Sequence, residues 1–201
     1  QKKNDKNGVS KMSETNNIRS VEDLLRALNA GLKPKYLCFW GHQPERDGSV
    51  GKGSLSQWFA ADFTVDGDRY ASAEHFMMAE KARLFGDEET RTAILSARSP
   101  ASAKQLGRSV RNFDERRWNA ERFEIVVRGN VAKFGQSPSM REFLLRTGNK
   151  VLVEASPSDR IWGIGMTAQD EFALQPQKWR GLNLLGFALM AAREQLRLGD
   201  K

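Results

Sequence analysis

Residues 54–85 read SLSQWFAADFTVDGDRYASAEHFMMAEKARLF and contain the start of the helix that carries the candidate chemistry. Ser72 is a typical helix N-cap, and the residues from Ala73 onward predict a helix. Glu74 and Lys81 are seven residues apart, so they share one face of that helix, roughly 10 Å apart along its axis. This is not the spacing of an i,i+4 surface ion pair.

The residues around this pair support a chemical interpretation beside the ordinary structural one. Met77 and Met78 lie between the two charges, and Phe85 follows on the same side. A lysine among apolar groups loses its proton more easily and becomes a nucleophile. The preceding loop, SLSQWF, adds polar and aromatic side chains, and the N–H groups of a helix N-terminus suit a phosphate or a developing anion. The alternative interpretation is an ordinary solvated helix face.

Length and composition indicate one globular domain. The chain has 201 residues, of which 39% are hydrophobic and 28% charged, and its formal net charge is +7. Part of this charge comes from residues 1–11, which hold four lysines and one aspartate. A moderately basic body suits a polyphosphate or nucleic-acid ligand.

Cysteine and histidine usage narrows the compartment and the cofactors. The single cysteine, Cys38, lies in YLCFW, which predicts a buried strand with a structural thiol. No internal disulfide is possible, and a reducing compartment is expected, the cytoplasm or, in a eukaryote, also the nucleus. The two histidines form no HExxH pattern, so neither a metal nor another cofactor is expected. No apolar run is long enough to predict a membrane span.

The pattern predicts a disordered, polar, basic tail over residues 1–17 and a single catalytic domain over residues 18–199. The chain shows no GxxxxGK[ST] motif, so a P-loop is not predicted. Strands are predicted at 36–40, 62–67 and 150–154, and helices over 20–31, from 73 onward, and over 87–97, 99–107, 114–134, 137–145 and 181–196.

A second group of candidate residues lies toward the C-terminus, in VEASPSDRIWGIGM and WRGLNLLGFALMAARE. Asp159 comes three residues before Trp162, whose ring can stack on a base or a ribose. Gly163 and Gly165 would let a ligand approach the backbone closely. Asn183 is an unusual choice in a predicted helix rich in leucine and alanine, and it indicates a polar contact or close packing. The alternative for Trp162 is a buried side chain in a tight turn.

Taken together, these motifs resemble the NADAR superfamily, which includes the YbiA-like proteins, from about residue 36 to residue 196. The order and spacing of several separate motifs carry the resemblance: Phe39-Trp40-Gly41, Ser56-Gln57-Trp58, Glu74-His75-Phe76, Ala79-Glu80-Lys81, Gly107-Arg108, Ala132-Lys133-Phe134, Asp159, Trp162-Gly163, Gly181 to Gly186 and Leu189-Met190. The resemblance implies a compact, mostly helical α+β domain with a few short strands. It also implies an N-glycosidase acting on ADP-ribose or ribosylamine compounds.

The resemblance, together with the chemistry of N-glycosidic bonds, implies roles for individual residues. Lys81 would attack the anomeric carbon and form a Schiff base, Glu74 would move the proton, and Asp159 would orient water or a ribose hydroxyl. The implied substrate-binding residues are Trp40, Gly41, Ser56, Gln57, Trp58, Arg108, Trp162, Gly163 and Asn183. Arg108 is assigned to a diphosphate because its planar fork matches phosphate oxygens.

Three functions fit these residues. The first is a glycohydrolase that removes ADP-ribose from guanine bases in nucleic acid. The second is an N-glycosidase acting on ribosylamine intermediates of the riboflavin pathway, and the third is a non-catalytic ADP-ribose-binding module. The basic charge favours the first over the second, and the presence of both Glu74 and Lys81 disfavours the third. The expected partner is therefore ADP-ribose or an ADP-ribosylated guanine nucleotide or nucleic acid, with no membrane partner.

Overall fold

The computed structural model describes residue 15 and residues 17–199. The predicted disordered tail, residues 1–17, therefore lies outside the described residues except for Thr15 and Asn17. The prediction of a mostly helical α+β protein with a few short strands is confirmed. The chain divides into two units, one of residues 41–144 and the other of residues 1–40 together with 145–201. The prediction of a single catalytic domain over 18–199 stays a prediction.

The described residues form seven α-helices and four strands. The helices are α1 (Val21–Asn29), α2 (Ala73–Leu84), α3 (Glu88–Leu95), α4 (Pro100–Arg108), α5 (Glu115–Gly135), α6 (Pro138–Arg146) and α7 (Leu184–Leu198). The strands are β1 (Tyr36–Phe39), β2 (Phe63–Val65), β3 (Asp68–Tyr70) and β4 (Val151–Glu154). Short 3-10 turns occur at Lys52–Leu55 and Pro176–Lys178. No helix among these residues combines the length and the apolarity that crossing a membrane would require.

In the unit of residues 41–144, α2 is the central helix and packs against α3, α4 and α5. Ser72 caps it, because its side chain accepts a hydrogen bond from the backbone N–H of His75. Two glycines permit the close packing. A Cβ on Gly107 of α4 would lie 2.0 Å from the sulfur of Met78, and one on Gly129 of α5 would lie 2.6 Å from the ring of Phe76. Both faces of α2 are therefore covered.

The antiparallel strands β2 and β3 form a hairpin in the same unit. Its turn residues, Asp66 and Gly67, both have positive φ, as a two-residue hairpin turn requires. The hairpin packs through aromatic rings: Phe63 and Tyr70 stack at 5.6 Å, and Tyr70 meets Phe76 of α2 edge-on at 5.1 Å. These rings attach the hairpin to the start of α2.

In the other unit, β1 and β4 pair in parallel, and α7 packs against β4. The three residues Val151–Val153 of β4 are fully buried, whereas Cys38 of β1 is only half-buried. The predicted strand at Cys38 is thus confirmed. The prediction that this strand is buried is wrong, because β4 rather than β1 is the buried strand of the pair. Because Gly186 has no side chain, the backbone of α7 can pack directly against the backbone of Leu152 in β4.

The predicted start of the last helix at residue 181 is wrong, because α7 begins at Leu184. Asn183 has φ 51°, in the left-handed region, so it ends the preceding loop instead of continuing a helix. Its backbone N–H donates to the carbonyl of Gly163 at 3.0 Å, and that of Leu182 donates to Arg160 at 2.9 Å. These bonds hold residues 181–183 against the loop of residues 160–163.

Replacing Gly186 by alanine should destabilise the protein, since the new Cβ would lie 2.0 Å from the carbonyl oxygen of Leu152. Neither the backbone of α7 nor that of β4 can move away without disturbing the packing, so we expect a loss of about 3 kcal/mol in the free energy of unfolding, measured by urea titration. Gly199→Ala is the control, because its Cβ would meet nothing closer than 3.7 Å. Equal unfolding midpoints for the two variants would contradict this account of the α7–β4 contact.

Candidate active site

Lys81 lies on α2 with its amine partly enclosed by aromatic rings. Its Nζ donates a hydrogen bond to the carbonyl oxygen of Gly107 at 2.8 Å. The same nitrogen is 4.6 Å from the ring centroid of Phe113 and 5.6 Å from that of Trp118. The sequence placed Lys81 among apolar neighbours of its own helix, but these rings come from the segment after α4 and from α5. Only the fold brings them together.

Charges around Lys81 set the reactivity of its amine. Burial lowers the pKa of Lys81 below its ordinary value of 10.5, and the positive charge of Arg108 lowers it further. The negative charge of Glu74 acts in the opposite direction and raises it. The net direction is downward, so the neutral, nucleophilic amine is more populated than in a free lysine. Three of the predicted residues, Glu74, Lys81 and Arg108, are therefore close enough for their charges to interact.

Glu74 is buried in the first turn of α2, with 4% of its surface exposed. Its backbone N–H donates to the carbonyl oxygen of Gln57 at 2.9 Å, which ties the SLSQWF loop to the helix start. The next amide, that of His75, donates to the Ser72 hydroxyl. Protein acceptors therefore occupy the amides of Glu74 and His75, and for these two N–H groups the expectation of a site open to an anion is wrong.

Two polar side chains of α5 donate hydrogen bonds to the SLSQWF loop and hold it in place. Lys133 donates from Nζ to the carbonyl oxygens of Ser54, at 2.6 Å, and Ser56, at 2.8 Å. Asn130 donates from Nδ2 to Oε1 of Gln57 at 2.9 Å. A second bond from this Nδ2, to the carbonyl of Val126, fixes the orientation of the Asn130 amide. Gln57 and Ser56 are thus placed by a network buried in the unit.

Lys133 and Asn130 are the positioning residues whose function the sequence reasoning missed. In the sequence, Lys133 stands out only as part of a family motif, and Asn130 has no predicted role. The detectable signal is their spacing, because two polar residues three apart lie on the buried face beside Phe134. Polar side chains on such a face require buried partners. The sequence indicates that partners exist but not that they are loop carbonyls.

Burial lowers the pKa of Lys133 to about 7, and only 1% of its surface is exposed. This amine is therefore shielded from substrate, whereas Lys81 is only half-buried. The difference in access makes Lys81 the candidate nucleophile and Lys133 a positioning residue. Buried atoms of the loop network still lack a partner among the described residues: Nε2 of Gln57 and Oδ1 of Asn130. They offer one donor and one acceptor to a ligand or a water molecule.

Trp58 and Arg108 lie at the borders of this region. The half-buried ring of Trp58 has its centroid 5.8 Å from that of His42 and 5.9 Å from Nζ of Lys104. Arg108 is the exposed last residue of α4, and its guanidinium makes no ion pair with a described carboxylate. An exposed, unpaired guanidinium retains its donors for phosphate oxygens.

The other unit holds the remaining predicted residues. Oδ1 of Asp159 accepts hydrogen bonds from the backbone N–H groups of Ile161, at 2.8 Å, and Trp162, at 2.7 Å. Asp159 thereby shapes the turn that carries the half-buried Trp162. In this turn, Gly163 serves protein packing: its added Cβ would lie 2.9 Å from the carbonyl of Glu154. The expectation that Gly163 leaves room for a ligand is corrected, because protein backbone occupies that space.

The side-chain amide of Asn183 is also occupied by hydrogen bonds to the protein backbone. Its Oδ1 accepts from the backbone N–H of Glu154, and its Nδ2 donates to the carbonyl of Leu152, both at 2.9 Å. The amide therefore continues the hydrogen bonding of β4 into the loop before α7. Trp40, which directly follows β1, is 64% exposed. Gly41, in the unit of residues 41–144, has φ 84°, a value that favours glycine.

Replacing Lys133 by methionine should change how stability depends on pH. With a folded-state pKa of about 7 and an unfolded value near 10.5, the charge penalty is complete below pH 7. It disappears as pH rises, because the unfolded chain still binds the proton that the folded chain has lost. Relative to Lys133→Met, the wild type should gain up to about 3 kcal/mol in unfolding free energy between pH 7.5 and 9.5. Urea unfolding at both pH values measures this gain, and parallel pH dependences would show instead that the two carbonyls keep the amine charged.

Comparison with known proteins agrees with the motifs and with the fold. The NADAR domain family matches residues 38–197. N-glycosidase R617 of Acanthamoeba polyphaga mimivirus is 45% identical over 166 residues, which are 80% of this chain and 96% of R617. N-glycosidase YbiA of Escherichia coli is 32% identical over 146 residues, covering 73% and 82% of the two chains. The NMR structure of E. coli YbiA matches with a TM-score of 0.67 and 28% identity, over 84% of this chain and 89% of that one. The predicted glycosidase class is confirmed at this level, and the chain belongs to the NADAR family.

Proposed function

We propose that this protein hydrolyses the N-glycosidic bond between ADP-ribose and a guanine base in nucleic acid. The observation that carries the proposal is the half-buried amine of Lys81, whose pKa is lowered by burial and by Arg108. Glu74 on the same helix supplies the carboxylate that proton transfer to a leaving base requires. The formal charge of +7 suits a polyanionic substrate. Relatives named N-glycosidases support the type of bond that is broken.

The proposed reaction begins with the neutral amine of Lys81. Its nitrogen forms a bond to the anomeric carbon of the ribose while the bond from that carbon to the guanine nitrogen breaks, and guanine leaves with a proton delivered through Glu74. The lysine nitrogen then loses a proton, the ribose ring oxygen gains one, and the ring opens to a protonated Schiff base. Water adds to the imine carbon, the carbinolamine expels Lys81, and the aldehyde closes to ADP-ribose. The balance is one water consumed per bond broken.

Binding roles are assigned by the surroundings of each side chain. Arg108 has unpaired donors for the diphosphate, and the half-buried ring of Trp58 offers a stacking surface. Gln57 contributes the unpartnered Nε2, and the Ser56 backbone holds the loop in place.

For the residues of the other unit, support comes from the family resemblance. We assign Asp159 to water or a ribose hydroxyl, and Trp40 and Trp162 to stacking. In the same unit, Gly163 contributes through the tight packing of its turn and Asn183 through its bonds to β4, whereas Gly41, in the unit of residues 41–144, contributes through its positive φ.

The two other functions make different predictions in one assay. The decisive experiment incubates the protein with a guanine-ADP-ribosylated oligonucleotide and identifies the products by mass spectrometry. Release of ADP-ribose and an intact guanine strand supports the proposal. No cleavage of this strand together with cleavage of a ribosylamine of the riboflavin pathway would replace it with the second function. Binding of ADP-ribose without any cleavage would replace it with a binding module.

Lys81→Ala should abolish turnover while leaving ADP-ribose binding largely intact, because the variant keeps Arg108 and Trp58. Borohydride should trap a covalent adduct on the wild type during turnover and none on the variant, as read by intact-protein mass spectrometry. Lys178→Ala, at an exposed lysine of the other unit, is the matched control and should keep both activity and trapping. Full activity of Lys81→Ala would sink the Schiff-base mechanism.

Glu74→Gln should lower kcat by about 100-fold or more, a typical share for general acid–base catalysis. Because the Glu74 charge raises the pKa of Lys81, its removal should also move the limb of the pH–rate profile that reports the amine to lower pH. Arg108→Gln should move the same limb to higher pH, since Arg108 lowers that pKa. Opposite shifts in the two profiles, measured as kcat/KM against pH, are the expected result. If Glu74→Gln kept the wild-type rate and pH–rate profile, Glu74 would not be the acid–base group, and Asp159 would become the candidate for that role.

A further inference from the structure

A basic cavity lies in the unit that contains β1 and β4. It has a volume of about 470 Å³ and is formed by residues 31–35, which connect α1 to β1, by residues 146–150, which connect α6 to β4, and by Thr15. Four of its lining side chains are cationic, and no lining residue carries a carboxylate: the cations are Lys33, Lys35, Arg146 and Lys150. The cavity therefore concentrates positive charge in a concave surface.

Three of these cations have no counter-charge in the described part of the chain. The amines of Lys33, Lys35 and Lys150 make no ion pair or hydrogen bond with any described residue. Lys33 and Lys35 are exposed, so their amines can swing toward a ligand. Unpaired lysines at a concave site raise the local concentration of anions more than the same charges on a flat surface do.

Two arginines of α7 extend the positive charge behind the cavity wall. Arg193 is 2% exposed and donates to the hydroxyl of Thr147 at 2.7 Å and to the carbonyl of Lys150 at 3.0 Å. Arg197 donates to Oδ1 of Asn149 at 3.2 Å and lies 3.7 Å from Glu194.

The burial of Arg193 has a measurable electrostatic cost. Burial, with a smaller contribution from the positive charge of Arg197, lowers the pKa of Arg193 to about 10, and Glu194 acts in the opposite direction. The guanidinium groups of Arg193 and Arg197 are thus committed to holding the 147–150 loop, and the amines of Lys33, Lys35 and Lys150 remain without a counter-charge among the described residues. Such an excess of like charge is relieved by a bound anion.

We propose that this cavity binds phosphate groups of the nucleic-acid strand that carries the substrate. Lysine ammonium groups bind phosphate as point charges and do not require the strict geometry of a bidentate contact. The inference rests on the proposed function only for the identity of the strand, because the charge and shape of the cavity stand by themselves. Free diphosphate compounds share this chemistry, and a separate measurement distinguishes them from a strand.

The test measures binding of an unmodified, fluorescently labelled single strand of about 20 nucleotides to the full chain as a function of salt. The variant is Lys33→Ala/Lys150→Ala, and the charge-matched control is Lys52→Ala/Lys178→Ala, which removes two lysines outside the cavity. Each lost phosphate contact should reduce the slope of log K against log salt by about 0.7, or about 1.4 for the pair. At about 0.1 M salt this corresponds to about 25-fold weaker binding, whereas the control should change much less.

The outcomes separate this proposal from the catalytic one, since an unmodified strand needs no turnover to bind. Equal affinities and slopes for the two double variants would overturn the phosphate site even if the enzyme cleaves its substrate. The second measurement titrates ADP-ribose by calorimetry. Loss of ADP-ribose affinity in the cavity variant, with strand binding unchanged, would overturn the strand as ligand and identify a free diphosphate site instead. Loss of strand binding alone, with melting temperatures unchanged, is the expected result.

Discussion

The contact between the Lys133 amine and two loop carbonyls supports the rest of the candidate site. This amine donates to the carbonyl oxygens of Ser54 and Ser56 from inside the unit, and the Gln57 carbonyl of the same loop accepts a hydrogen bond from the backbone N–H of Glu74 in the first turn of α2. Because α2 carries Glu74, a change in the loop would alter the position of the helix start. One buried amine therefore orients a loop, the loop bonds to the start of a helix, and that helix carries the candidate residues Glu74 and Lys81. An apolar side chain of equal volume would fill the space but would leave both carbonyls without this donor.

The local elements of the fold were largely readable from the sequence. Ser72 was predicted as a helix cap, and the structure confirms it because its side chain accepts from the first turn of α2; Ser20 and Ser99 cap α1 and α4 in the same way. The start of α7 was misplaced because Asn183 adopts a left-handed conformation to bond β4, and that strand is about thirty residues away in sequence. Propensity is a local quantity, whereas this boundary is set by a long-range pairing. The exposure of β1 escaped prediction for the same reason.

For the candidate site, the sequence identified residue types better than their surroundings. The spacing of Glu74 and Lys81 placed both on one helix, and their electrostatic coupling follows from it. The rings of Phe113 and Trp118 come from other segments, so no helical periodicity could reveal them. Polar side chains on the buried face of α5 were visible, but the acceptors they serve were not. Tertiary partners of polar groups are the part of a site that a single sequence specifies least.

Gly107 has a consequence for how this protein can change. Its missing methyl group lets α4 touch Met78, and its carbonyl oxygen receives the amine of Lys81. A neutral amine that donates one N–H in a fixed direction has restricted rotation about its last carbon–nitrogen bond, so its lone pair has a preferred direction as well. The spacing of the helices and the orientation of the candidate nucleophile therefore both depend on this one residue. A substitution at residue 107 that changes the packing distance would also change the orientation of the Lys81 amine. A stabilising substitution there would therefore have to preserve both.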